Sequence, residues 1–344
     1  IRKEITPFTN EALDIDGSLF LYHEVPTNGI GYLDLMFDLS DVPEKDLPMV
    51  GLLQAVLGII DTEHYEYGEL FNEINRHTGG IGTSLELYPD VTKVKEKEFK
   101  ATFEIKGKAL YGQIPFAIRM MKEILTASKL DDEKRLKEIL SMTKTRLQDR
   151  FLSAGHSAAA LRAMSYKSPI SKFKDTTNGI EYYQNIREME EHFAEKKEEI
   201  ISGLKALSEL LFRKGNVMIS YTASREGLAV LEEEIGSLKE ALYPERTPES
   251  RCILHCEKKN EGFKTSSKVQ FAAKAGNFID AGEEYNGALQ ILKVIMSYEY
   301  LWINIRVKGG AYGCMSNFNR IGEGYFVSYR DPNLGRTLEI YDGV

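Results

Sequence analysis

Six histidines are the first residues to weigh in this 344-residue chain, because imidazole is the commonest metal ligand and a frequent general base. None lies in H-E-x-x-H or in its inversion H-x-x-E-H, the spacings that put two zinc ligands and a base on one helix face. Glu73 and His77 stand one helical turn apart and offer two donors, but a zinc site needs at least one more protein ligand. The alternative for His77 is a solvated helix end near the C-terminal dipole. Cys252, His255 and Cys256 carry metal-like spacing. On a strand, however, positions four apart are separated by about 13 Å and His255 points to the other face, so these read as core or edge-strand thiols. His156 and Ser157 supply no G-x-S-x-G nucleophile elbow.

What remains is a short loop. Gly309-Gly310-Ala311-Tyr312-Gly313 follows an expected helix, whereas a phosphate cradle precedes one and, in the P-loop form, ends in Lys-Ser or Lys-Thr, so a nucleotide site is disfavoured. Arg306 closes that helix and Tyr312 opens the next strand. Taken alone they are a cation at a helix C-terminus and a strand aromatic. The two glycines between them remove side-chain bulk, so that backbone or ligand can approach closely. A guanidinium and a phenol presented together from one tight loop suit a peptide carbonyl.

The elements that position this loop follow from periodicity. Apolar alternation predicts strands at 18–23 and 32–39, joined as a hairpin through Pro26-Thr27-Asn28-Gly29. A largely apolar helix runs from Asp46-Leu47-Pro48 to about residue 60, and an amphipathic one at 66–77 stops at Gly79-Gly80. Strands return at 81–88 and 99–105. There Phe99, Ala101, Phe103 and Ile105 alternate with Lys100, Thr102 and Glu104, which predicts one buried and one wet face. Residues 114–166 read as at least two helices parted near 129–132. The order β-β-α-α-β-β-α-α is that of an α+β sandwich with a mostly antiparallel sheet packed by helices.

Dense Glu and Lys at 185–212, with an apolar period at Ile200, Leu204, Leu207 and Leu211, predicts a long helix leaving one domain for the next. This sets an expected division into domains 1–200 and 201–344. The second domain restarts with a strand at 216–221 and a helix at 228–242. Strands are then expected at 253–256 and 268–273, one long helix at 285–306, and a hairpin of 312–318 and 325–329 turned at Ile321-Gly322-Glu323-Gly324. The layout repeats that of the first domain but stops after the hairpin, so an open apolar sheet face predicts further sequence beyond residue 344.

With 42% hydrophobic and 28% charged residues the composition is that of an ordinary globular chain, neither disordered nor a disulfide scaffold. Forty-four Lys and Arg against 52 Asp and Glu give a formal charge of −8, which repels phosphate backbones and anionic lipid, so neither nucleic acid nor membrane is an expected partner. No apolar stretch approaches the roughly 20 residues that span a bilayer. An opening at Ile1 rather than Met marks an excised or processed piece. Three cysteines in a large chain argue for a reducing compartment, the bacterial cytoplasm or an organelle matrix.

The run 301–313, with Trp302, Arg306, Gly309, Gly310, Ala311, Tyr312 and Gly313, resembles the last quarter of the presequence protease and falcilysin branch of the pitrilysin/insulinase zinc metallopeptidases. So do Ser328-Tyr329-Arg330-Asp331-Pro332-Asn333-Leu334 and the ending Thr337-Leu338-Glu339-Ile340-Tyr341-Asp342-Gly343. The resemblance implies two homologous metallopeptidase-like α/β sandwich domains, the second truncated. It also places Arg306 and Tyr312 as the catalytic pair that reaches across to a zinc site in an N-terminal half, with Gly309, Gly310 and Ala311 against substrate. Where family catalytic domains carry H-x-x-E-H, this chain has Gln54-Ala55-Val56-Leu57-Gly58, and Gln54, Leu57 and Gly58 cannot bind zinc and activate its water. The implied protein is the zinc-less C-terminal half of a peptidase that encloses short unstructured peptides in a chamber. Its partner is the zinc-binding N-terminal half, and the fragment alone is inactive. The competing reading is a noncatalytic scaffold or binding module, which has no need of an Arg306/Tyr312 pair.

Overall fold

The computed structural model describes residues 10–344 except Asp16 and Glu249. In chain order the elements are β1 (Asn10–Ile15), β2 (Ser18–Glu24), β3 (Ile30–Asp38), α1 (Leu47–Val56), α2 (Tyr67–His77), β4 (Ile81–Pro89), β5 (Phe99–Leu110), α3 (Ile114–Thr126), α4 (Glu133–Ser165), α5 (Pro169–Asn178), α6 (Ile180–Glu191) and α7 (Phe193–Leu211). They continue with β6 (Val217–Ala223), α8 (Arg225–Ala241), β7 (Ala273–Asn277), α9 (Ala288–Ile295), a π-helix (Met296–Val307), β8 (Gly313–Phe318), β9 (Glu323–Tyr329) and α10 (Leu334–Asp342). Two compact units form, each discontinuous in sequence. One takes the described part of Ile1–Glu86 with Ala101–Ile139 and His192–Cys252; the other takes Leu87–Lys100, Leu140–Glu191 and Ile253–Val344.

The first unit is built on a six-stranded sheet of order β1-β2-β6-β3-β5-β4. Only β2 and β6 run parallel among the registered pairs; β1 with β2, β3 with β6 and β3 with β5 are antiparallel. The fold is therefore α/β with an antiparallel-dominated sheet packed by helices, as expected. The strands expected as a hairpin both form, but they do not pair. Ile219 of β6 lies in register between Phe20 of β2 and Leu35 of β3. The connection between β2 and β3 turns at Asn28 and Gly29, both at positive φ, where the Ile30 N–H donates to the Thr27 carbonyl at 3.2 Å, and it passes over the end of β6.

The reason lies in β6 itself. Val217, Ile219, Tyr221 and Ala223 are buried alternately with half-buried neighbours, a period-2 pattern that fits a strand covered by helices on one face. The expected division between 200 and 201 consequently falls inside α7, whose Ile200 and Leu204 are buried, and both β6 and α8 beyond it belong to the first unit. Phe212, just after α7, meets Phe37 and Phe103 edge-on at centroid distances of 5.0 and 5.3 Å. Each such ring, fully buried, contributes about 1.5–3 kcal/mol relative to exposure. The expected wet face of β5 is not wet at its centre: Thr102 and Glu104 are buried along with Ala101, Phe103 and Ile105.

The second unit holds a three-stranded antiparallel sheet, β7-β9-β8, on which Ala272, Leu301, Ile305, Ala311 and Tyr341 form a core. Residues 253–256 form no strand, and the strand expected at 268–273 begins only at Ala273; the mostly polar stretch from Glu257 to Thr265 is exposed coil. The helix expected across 185–212 is broken at His192 into α6 and α7. A helix does follow the last hairpin. Tyr341 of α10 stacks on Phe326 of β9 at 5.6 Å and donates its hydroxyl to the Ala272 carbonyl, so that sheet face is covered there.

Candidate functional site

Arg306 sits in the last turn of the π-helix, a rare winding that occurs mostly as short bulges at functional sites. Leu301 and Ile305 point into the core, while Trp302 and Arg306 face outward one turn apart. The Arg306 guanidinium lies 4.5 Å from the Trp302 ring centroid. A cation held over indole keeps its N–H edge directed away from the ring, where a carbonyl can accept from it.

The helix stops in a tightly folded loop. Gly310 N–H donates to the Arg306 carbonyl at 2.9 Å, and Ala311 N–H to the Ile305 carbonyl at 3.1 Å. A Cβ on residue 309 would run into the Ile305 carbonyl, and Gly310 has φ 82°, so both positions require glycine. The Gly309 carbonyl accepts from the Asn333 amide, and Ala311 is buried. The backbone groups of Gly309, Gly310 and Ala311 that were expected to touch substrate are thus largely engaged in closing the loop. Tyr312 follows, 63% exposed, with its N–H donating to the Tyr329 carbonyl at 3.0 Å. Its hydroxyl makes no hydrogen bond among the described residues, and neither does the Arg306 side chain.

The profile for the region associated with subfamily C of the M16 peptidases matches residues 1–189, more than half of the chain. This chain belongs to the peptidase M16 family. The PreP C-terminal domain profile matches residues 260–344, the part that carries the loop. The chain is 38% identical to Protein HypA of Clostridium perfringens over all of its own length and 35% of that protein. It is 29% identical to Presequence protease 1, chloroplastic/mitochondrial, of Arabidopsis thaliana over 100% of this chain and 32% of the relative. It therefore spans about a third of the length of these relatives. In fold it is similar to a crystal structure of a peptidase M16 inactive domain from Pseudomonas fluorescens, with a TM-score of 0.56 at 14% identity, covering 97% of this chain and 79% of that one.

In this M16-family chain the stretch standing where the zinc motif is expected does not fit a metal. Helix α1 ends at Val56; Leu57 is extended and buried, and Gly58 has φ 84°. The Gln54 amide donates to the Thr83 carbonyl at 3.3 Å, and the Thr83 hydroxyl returns a bond to the Gln54 carbonyl at 3.1 Å. An amide clasped to a strand, an aliphatic side chain in the core and a glycine beyond the helix offer no set of donors. Glu73 and His77 approach to 3.6 Å, but Arg76 takes the same carboxylate at 2.8 Å and the His77 ring leans on Phe116. Among the described residues no group of three metal-ligating side chains occurs. Cys252, Cys256 and Cys314 form no disulfide, and burial pushes the thiols of Cys252 and Cys314 up to about 11. No helix among the described residues is long and apolar enough to cross a membrane.

Two neighbours of the pair stand in the runs that carry the resemblance but were given no role from sequence. Trp302 had a signal, since it precedes Arg306 by one helical turn and is the chain's one tryptophan. Arg330 had no signal of its own beyond its place at the end of the expected hairpin, where its guanidinium lies 5.7 Å from the Tyr312 ring centroid.

Proposed function

We propose that this chain is the C-terminal, non-zinc half of a zinc-dependent oligopeptidase that degrades short, unstructured peptides in a closed chamber, in a reducing compartment. The observation that supports this most is the exposed pair itself. Arg306 and Tyr312, both exposed, stand at the two ends of a loop folded at the expense of two obligatory glycines, and among the described residues neither side chain makes a hydrogen bond or ion pair. A scaffold would gain nothing from holding them there. The metal and the general base belong to the N-terminal half, and no step is assigned to this chain through either of them. When the halves close, the Tyr312 hydroxyl donates to the oxyanion that develops on the scissile carbonyl, and Arg306 donates to neighbouring peptide carbonyls. Closure also excludes water and folded proteins.

The test is made in the enzyme with both halves present. Tyr312→Phe removes one oxyanion donor and should lower kcat by about 10²–10³. Arg306→Lys keeps charge but loses the planar fork, so KM should rise and kcat fall together. Zinc content and melting temperature should stay at parent values. A Tyr312→Phe enzyme with kcat within about twofold of the parent, or a lowered melt in either variant, would assign the pair to structure and favour the scaffold reading.

A further inference from the structure

We infer that Arg330 is a positioning residue for Tyr312, an inference that rests on the reading of Tyr312 as the oxyanion donor. An exposed phenol without a hydrogen bond swings among its rotamers, whereas a donor to a developing oxyanion must be held to about 0.5 Å and 10–20°. Nothing in the glycine loop restrains the Tyr312 ring. The restraint on offer comes from the strand edge beside it. Gly313 pairs with Tyr329, and the Tyr312 N–H bonds to the Tyr329 carbonyl, so Tyr312 and Arg330 flank the same rung. The Arg330 guanidinium lies 5.7 Å from the Tyr312 centroid and 5.4 Å from that of Tyr329, within reach of both ring faces.

The backbone at this position is costly. Arg330 has φ 49°, one of three non-glycine residues with positive φ among those described. A long side chain is disfavoured in the left-handed region, and glycine would occupy it freely. The strain is fixed by the next residue. Asp331 is fully buried; its N–H donates to the Gln270 carbonyl at 2.9 Å, and its carboxylate accepts from the Thr337 hydroxyl at 2.6 Å and the Asn333 N–H at 2.8 Å. Yet the arginine so placed makes no ion pair with any carboxylate among the described residues. Its contacts are the two tyrosine rings. A strained residue whose side chain does nothing for the fold, set against the one phenol that the reaction needs held, marks strain kept for function.

The experiment compares Arg330→Gly, Arg330→Lys, Tyr312→Phe and the Arg330→Gly/Tyr312→Phe double variant in the enzyme with both halves. Arg330→Gly should melt at or above the parent temperature, because it relieves the left-handed position. Its kcat should nevertheless fall about three- to tenfold with KM little changed, the size of effect an exposed cation–aromatic contact supports. Arg330→Lys, which keeps a cation, should recover part of that loss. In the Tyr312→Phe background Arg330→Gly should cost almost nothing, since the hydroxyl it positions is gone. Unchanged kcat in Arg330→Gly beside a large loss in Tyr312→Phe would overturn the inference alone. So would losses that multiply in the double variant, or a lowered melt in Arg330→Gly and Arg330→Lys alike. An active Tyr312→Phe enzyme would overturn both this inference and the oxyanion reading beneath it.

Discussion

Asp34, on the face of the first sheet away from the apolar core, shows how a single residue can act against the fold. Burial, and next the negative charge of Glu104, push its carboxyl up to about 7, and Lys106 only partly opposes this. Lys106 lies 2.8 Å from Glu104 and 3.8 Å from Asp34, so the nearer carboxylate takes most of its charge. The unfolded carboxyl titrates near about 4. Between that value and about 7 the folded state binds more protons than the unfolded one, so stability falls as pH rises through this window. Above it the charged carboxylate bears its full desolvation cost. Asp34→Asn removes the titration. It should raise the melting temperature at pH 8.5, leave it nearly unchanged at pH 5, and so flatten the profile. A variant destabilised equally at both pH values would show that Asp34 is held as a paired carboxylate instead.

At the scale of elements, α4, α5 and α6 meet around one buried carboxylate. Asp175, fully buried, accepts from the Arg162 guanidinium at 2.7 Å and from the Ile180 N–H at 2.9 Å, the latter at the start of α6. Asp175→Ala would leave that N–H without its acceptor and Arg162 without its most buried partner. Breaking a buried pair this way costs about 3–5 kcal/mol. A urea midpoint lowered accordingly at constant m-value is the expected result; a shift below about 1 kcal/mol would mean that Glu181 and Glu261, which also reach Arg162, compensate fully. Elements of this kind were legible in sequence wherever burial follows a period. The strands at β2, β3, β5 and β6 and the helices α2, α3 and α4 lie close to where alternation and helix-stop residues put them. Their neighbours were not legible. Alternation at Phe20 and Leu35 tells which face is buried, not that Ile219, some 180 residues on, will stand between them. The burial of Glu104 was hidden for the same reason, because a charged residue at a strand position reads as solvated until its surroundings are known. Arg306 and Tyr312 were singled out through a resemblance and their roles stand as a proposal, whereas the left-handed backbone of Arg330 was not legible, since positive φ at an arginine leaves no mark in residue type.

For the whole molecule, the proposal is a division of labour in which this chain, spanning about a third of the length of its relatives, would supply substrate contacts and the other half the metal. At Gln54, Leu57 and Gly58 the departure from the expected zinc motif is structural as well as chemical, because the helix ends before the last two positions and the first is clasped to a strand. Restoring histidine and glutamate at those three positions would therefore not by itself create a zinc site. The most direct test purifies this chain and the zinc-binding half separately, measures zinc in each after dialysis, and follows cleavage of a fluorogenic peptide by each alone and by the two together. The account predicts no stoichiometric zinc and no cleavage for this chain, little cleavage by the other half, and strong cleavage by the pair that is lost when this chain carries Tyr312→Phe. One tightly held zinc per chain with peptide cleavage by this chain alone, or full activity of the other half without it, would contradict the account.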